Sequence, residues 1–209
     1  MPAVTISAGY GAGGSVIAPR VAERLGYPLL DRAISSRVAD QLHVSEEEAR
    51  CGEKRRSLVE KFFGVLAPMA GGVIGLDAEG PPAPLPADDA EQFRERAEAI
   101  IRRALPSGAV VLGRAGAAAL AEEPNVLRVR LFGPEAARIK QAAQVQGIDE
   151  AEAACRLPEV DQARAHYVRR LYGRDIDDPA LFNLQLDSTA IPLDGCVEVI
   201  ATAYLAMVG

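Results

Sequence analysis

With 209 residues and a hydrophobic fraction of 49%, the chain carries enough apolar surface for a sizeable core, and one folding unit spanning 1–209 is expected. A net charge of -6 and an isoelectric point near 5.1 argue against a broad nucleic-acid-binding surface and leave small anionic ligands open. Three scattered cysteines (Cys51, Cys155, Cys196) and two histidines give neither metal-ligand spacing nor a disulfide framework. No run approaches the roughly 18 apolar residues that span a bilayer, and no signal core opens the chain, so a soluble cytoplasmic protein is expected.

The first predicted element is a strand, Ala3-Val4-Thr5-Ile6, followed by "SAGYGAGGSV" with Gly9, Gly11, Gly13 and Gly14, and then by a helical stretch from Ser15. A strand, a glycine loop and a helix in this order let backbone amides approach a phosphate at a helix N-terminus. Most phosphate loops place a lysine after the glycine at position 13; here it is Gly14. Pro19, one turn further on, forfeits a backbone hydrogen bond of that helix. Next, Ile34, Val38 and Leu42 share a helical face, and Ser45 with Glu48 forms a capping-box pattern. The stretch from Gly64 to Asp89, rich in glycine, proline and alanine, reads as a surface excursion. Phe93, Ala97, Ile100, Ile101 and Ala104 mark another apolar stripe.

Further strands are predicted at 109–112 and 126–132, with a weaker one at 183–186, and Asp149 with Glu152 signals another helix start. Strands alternating with helices read as a parallel sheet covered on both faces.

The glycine loop by itself allows two ligand readings. Gly9, Gly11 and Gly14 satisfy the dinucleotide pattern G-x-G-x-x-G, with Asp31 near the distance expected of a ribose-binding acid. A nicotinamide-dependent oxidoreductase follows from that reading, but Pro28 weakens the second strand it needs. The alternative is a phosphate loop without its lysine.

Several separated stretches favour the second. "LLDRAISSRVA" carries Asp31 and Arg37; "VVLGRAG" ends a strand on Gly113-Arg114; "PNVLRVRLFGPEAARIK" leads from a strand into a helix; "DQARAHYVRRLYG" spaces Asp161, Arg164 and Tyr167 by three; and "NLQLDSTAIPLDGCVEVI" joins a strand to a last helix through Asp187-Ser188-Thr189. Together with Tyr10-Gly11-Ala12-Gly13-Gly14, these resemble the cytidylate kinase-like family of the nucleoside monophosphate kinases, from Ala3 to about Ile200.

That resemblance implies a P-loop NTPase fold, a three-layer α/β/α arrangement with about five parallel strands and a helical lid. It places a monophosphate-binding segment at about 32–95 and the lid at about 138–175. It implies transfer of the γ-phosphoryl group of MgATP to a nucleoside monophosphate such as CMP or dCMP. Gly9, Gly11, Gly13, Gly14 and Ser15 would hold the ATP phosphates, with the Ser15 hydroxyl on Mg²⁺ or capping the helix. Asp31, Arg37, Arg114 and Asp161 would serve the acceptor; Asp31 alternatively caps the helix beginning at Ala33.

Arg138, Lys140, Arg156, Arg164, Arg169 and Arg170 form either a solvated charged face or the lid's phosphate-closing set. Within it Arg138 and Arg164, together with Arg114, are the catalytic candidates, and Asp161 is spaced to hold Arg164. The expected partners are ATP and a small phosphate acceptor, with neither a nucleic-acid polymer nor a membrane. Family members carry basic residues where this chain has Ala8 and Ser15, so a nucleotide-binding module of the same fold without catalysis is the alternative. A side chain at position 14 is expected to strain the turn or crowd a lid arginine.

Overall fold

The computed structural model describes residues 2–30, 98–99, 101–103, 105–113 and 115–209. Asp31, Arg37, Arg114, the Ser45–Glu48 capping pattern and the segment 64–89 lie outside the described residues.

The strands among the described residues are β1 (Ala3–Ala8), β2 (Leu29–Leu30), β3 (Ala109–Leu112), β4 (Val126–Phe132) and β5 (Leu184–Asp187). All pair in parallel, in the order β2-β3-β1-β4-β5. The described helices are α1 (Gly14–Leu25), α2 (Gly116–Ala119), α3 (Glu135–Gln146), α4 (Glu150–Tyr172) and α5 (Leu193–Val208).

Burial explains the strand order. The first four residues of β1 and all of β3 are buried, as expected of central strands covered on both faces. β2 is a two-residue edge strand, and Pro28 just before it needs no donor because its carbonyl accepts from Val110 N–H at 3.0 Å. A dinucleotide-binding sheet sets β2 beside β1; here β1 lies between β3 and β4, so the dinucleotide reading of the loop is set aside.

One face of the sheet packs against α1 and α5 through Val4, Ile6, Ile17, Val21, Val129, Leu131, Ile200 and Tyr204. The other face holds Ala3, Ile101, Leu105, Val111, Leu120 and Val126. α1 runs unbroken through Pro19, which is exposed, so the missing hydrogen bond falls on the solvent side. α4 starts where predicted: the Asp149 carboxylate accepts from the Glu152 N–H at 2.6 Å.

A third core is small and separate. Tyr10, from the glycine loop, is buried with Ala142 of α3 and Ala153, Leu157 and Val160 of α4. The loop therefore drives an aromatic peg between the two helices.

Candidate phosphate-binding site

The loop from Gly9 to Gly13 joins the C-terminal end of β1 to α1. Gly9 N–H donates to Leu131 O at 3.1 Å, prolonging the ladder with β4, and Ala12 N–H turns back to Gly9 O at 3.1 Å. Gly13 stands immediately before α1 with φ 71°, a left-handed conformation that penalises any other residue. Among the described residues, no partner takes the N–H groups of Gly13 and Gly14, which begin the helix. Such amides at a helix N-terminus suit an anion.

Gly14 itself is not left-handed. A Cβ there would lie 2.7 Å from Ala8 Cβ and 3.4 Å from Leu112 Cδ1. The obstacle to a side chain at position 14 is therefore the sheet beneath the loop, and not the turn strain or the lid arginine expected from the sequence.

From above, α3 and α4 close on the loop with polar groups. Arg138 Nη1 donates to Tyr10 O at 3.0 Å and to Asp161 Oδ2 at 2.7 Å, while its Nε donates to Gly133 O at 3.0 Å. Asp161 Oδ1 accepts from Tyr10 N–H at 2.8 Å, so one carboxylate bridges a loop amide and a guanidinium. Gln141 Nε2 donates to Gly11 O at 3.0 Å and Arg164 Nη1 to Ala8 O at 2.8 Å. Gly11 is explained by the same approach, since the main-chain carbonyl of Arg138 occupies the space its Cβ would need.

From behind, the Asp187-Ser188-Thr189 turn holds the loop in place. Ser188 is 1% exposed, and its hydroxyl donates to Ala12 O at 2.7 Å. Asp187 Oδ1 accepts from Thr189 Oγ1 at 2.6 Å and from the N–H groups of Thr189 and Ala190 at 3.0 and 3.2 Å. These bonds favour the charged form and hold the carboxyl below its ordinary range.

The predicted residues separate clearly. Gly9, Gly11, Gly13, Gly14, Arg138, Asp161 and Arg164 come together around one loop, with Ser15 half-buried in the first turn of α1. Within the described residues Asp161 forms its ion pair with Arg138 on the neighbouring helix, not with Arg164 on its own. Arg156 pairs instead with Glu152, and Arg169 with Asp175 at 3.8 Å. Two further residues belong to the site and were not anticipated. Arg130 of β4 lines a polar pocket of about 240 Å³ with Arg138, Asp161 and Arg164, and Asp177 closes its edge. Two arginines at alternate positions of a strand inside a parallel sheet were the available signal, because such a strand ordinarily buries apolar side chains on both faces. A second, largely apolar hollow lies on the β3 side of the loop, between Ala8 and Gly14 and the side chains of Leu112, Val168, Leu181 and Phe182.

The model of the cytidylate kinase-like family matches residues 3–190, nearly the whole chain. The chain belongs to the cytidylate kinase-like family. Its sheet order, glycine loop and paired helices are those of a P-loop NTPase of kinase-like fold. Among solved structures, a protein from Eubacterium ventriosum is similar over 99% of both chains, with a TM-score of 0.65 and 16% identity. A gluconokinase from Sinorhizobium meliloti matches with a TM-score of 0.48 and 20% identity over 98% of this chain and 91% of its own. A shikimate kinase from Acinetobacter baumannii in complex with shikimate has a TM-score of 0.44 and 15% identity over 99% and 94%. No curated protein matches at the sequence level. None of the described helices of this family member is long and apolar enough to cross a membrane.

Proposed function

We propose that this cytidylate kinase-like protein transfers the γ-phosphoryl group of MgATP to a nucleoside monophosphate, CMP or dCMP, in the cytoplasm. The observation that carries the reading is the convergence of Arg138 and Arg164 on a glycine loop that has no lysine. Phosphoryl transfer needs alignment and neutralised charge more than proton abstraction, because the acceptor phosphate is already anionic. Two guanidinium groups carried by α3 and α4 supply that charge from above, while the amides of Gly13 and Gly14 supply it from below. Losing either arginine removes a charge-assisted contact, about 1.5–3 kcal/mol or ten- to hundredfold in rate.

Among the described residues no cluster of acidic side chains forms a metal cage. In this reading the Ser15 hydroxyl, in the first turn of α1, would hold Mg²⁺, whose other ligands would be nucleotide oxygens and water. When bound, Mg²⁺ neutralises the β- and γ-phosphate oxygens. The acceptor phosphate is assigned to Arg37 and Arg114, with Asp31 orienting the acceptor, on the strength of the family motifs. Replacing either arginine by alanine is expected to weaken monophosphate binding by about 1.5–3 kcal/mol and to leave MgATP binding nearly unchanged.

A non-catalytic nucleotide-binding module is the second reading, and one observation favours it: Asp161 and Arg138 already occupy both the N–H and the carbonyl of Tyr10. A coupled ATP-consumption screen against nucleoside monophosphates separates the two. A clear acceptor supports the kinase, whereas tight MgATP binding with no turnover on any acceptor supports the module.

A further inference from the structure

Strand order directs attention to the seam between β1 and β4. The chain leaves β1 toward β2 and β3 on one side, and leaves β4 toward β5 on the other. Ligands of open α/β sheets sit outside the carboxyl ends of the strands at such a reversal. The polar pocket lies there, floored by Ala8 and Gly9 at the end of β1.

Its lining is charged and unevenly anchored. Arg130 is carried by β4, inside the sheet, and its side chain is only 13% exposed. Nη1 donates to Ser7 Oγ at 3.1 Å and Nη2 to Asp177 Oδ1 at 2.6 Å. Asp177 is 73% exposed and comes from the segment after α4. A guanidinium so enclosed is costly without an anion, whereas an exposed carboxylate returns to water at little cost. The pair is therefore held tightly at one end and loosely at the other. Among the described residues that line it, three guanidinium groups (Arg130, Arg138, Arg164) stand with the carboxylates of Asp161 and Asp177.

We propose that this pocket is a binding site for a dianionic, phosphate-sized group, in which Arg130 is the fixed contact and Asp177 a counter-ion that the ligand displaces. Forked guanidinium groups match the oxygens of a phosphoryl group, and their bonds to it are charge-assisted. The rigid strand fixes one edge of the ligand while the helix-borne arginines meet the other. Gly9 keeps the floor open, because a Cβ there would stand 2.8 Å from Arg138 Nη1. The inference rests on the kinase reading of Arg138 and Arg164 as phosphate contacts and adds Arg130 and Asp177 to it, but it does not require turnover.

The test uses inorganic phosphate as the probe, titrated into the full chain by calorimetry without nucleotide. Arg130→Gln is expected to weaken phosphate binding tenfold or more, through loss of a charged donor. Asp177→Asn is expected to tighten it several-fold, because the competing carboxylate is gone. Asp177 is exposed, so that variant keeps the proposal testable if Arg130→Gln fails to fold. A structural ion pair alone predicts no gain in affinity from Asp177→Asn. Competition by MgATP assigns the pocket to the donor, and competition by CMP assigns it to the acceptor. Unaltered affinity in Asp177→Asn, or phosphate displaced by neither nucleotide, would mean an adventitious ion only and would overturn the site. Phosphate binding with these responses but no kinase activity would leave the pocket standing and remove the kinase reading.

Discussion

The glycine loop is gripped differently on its two sides. Beneath it, toward the sheet, the contacts are short, neutral and enclosed: Ser188 Oγ on Ala12 O, and Gly14 against Ala8 and Leu112. Above it, toward α3 and α4, the contacts are mostly charged: beside the buried Tyr10 peg, Arg138, Asp161, Arg164 and the neutral Gln141 hold the backbone of the loop and of the end of β1. Water and anions compete poorly for the first kind of contact and well for the second. The lower side is a foundation, and in the proposed reading the upper side is a set of bonds that a phosphate would exchange for its own.

The hardest blow to the foundation is Gly14→Lys. Its side chain would enter a packed, buried position carrying a charge, and we expect a loss of about 3 kcal/mol or more, visible as a lowered urea midpoint. A stable Gly14→Lys variant with tighter MgATP binding would instead mark the native loop as a degraded one.

Tyr10→Ala attacks the other side. Emptying an aromatic site that is 1% exposed is expected to cost about 3 kcal/mol. Hydrogen exchange locates the loss: protection should fall in residues 135–172 and persist in β1 and β4. Equal loss in the strands would show that the two sides do not separate. In the unaltered protein, a bisubstrate nucleotide analogue should raise protection from Arg138 to Arg170.

Ser188→Ala sharpens the contrast at smaller cost. It leaves the Ala12 carbonyl without its buried donor, for about 1–2 kcal/mol, and is expected to lower MgATP affinity without changing the response to salt. Arg138→Gln on the upper side should instead alter that salt response, because screening acts on charged contacts.

The smallest effect is read through pH. The Asp187 carboxyl is held below its ordinary range by the bonds from Thr189 and Ala190, so its stabilisation is present above the unfolded value, about 3.9. It is lost as pH falls through the depressed folded value. Urea midpoints of the wild type and Asp187→Asn should therefore differ at neutral pH and begin to converge only as pH falls below about 4, through the depressed folded value. A constant difference down to pH 2 would remove Asp187 from the acid response.

Much of the foundation was legible in the chain. The runs at 3–6, 109–112 and 126–132 became strands because each is a short apolar stretch with turn residues at its ends, and β5 appeared one residue later than predicted. Asp149 capped α4 because capping is a local event. The upper side was legible only in part. Arg138 and Arg164 stood out as charges, but the family resemblance, not their spacing, pointed them at the loop. Tyr10 read as one more loop residue because its partners Gln146 and Asp161 lie 136 and 151 positions away. Asp161 was matched to Arg164 by helical spacing, whereas packing of α3 against α4 gave it Arg138. Arg130 was missed as part of an ordinary strand pattern, since only the strand order reveals that β4 borders the loop.

The missing side chain at Gly11 has a mechanical consequence. With the Arg138 carbonyl seated against that residue, the loop and α3 meet backbone to backbone, without a flexible side chain to absorb displacement. Any tilt of α3 is transmitted to the loop as a change in its curvature, and any swelling of the loop around a phosphate pushes back on the helix. A substitution that tilts α3 is therefore expected to change the affinity of the loop as well.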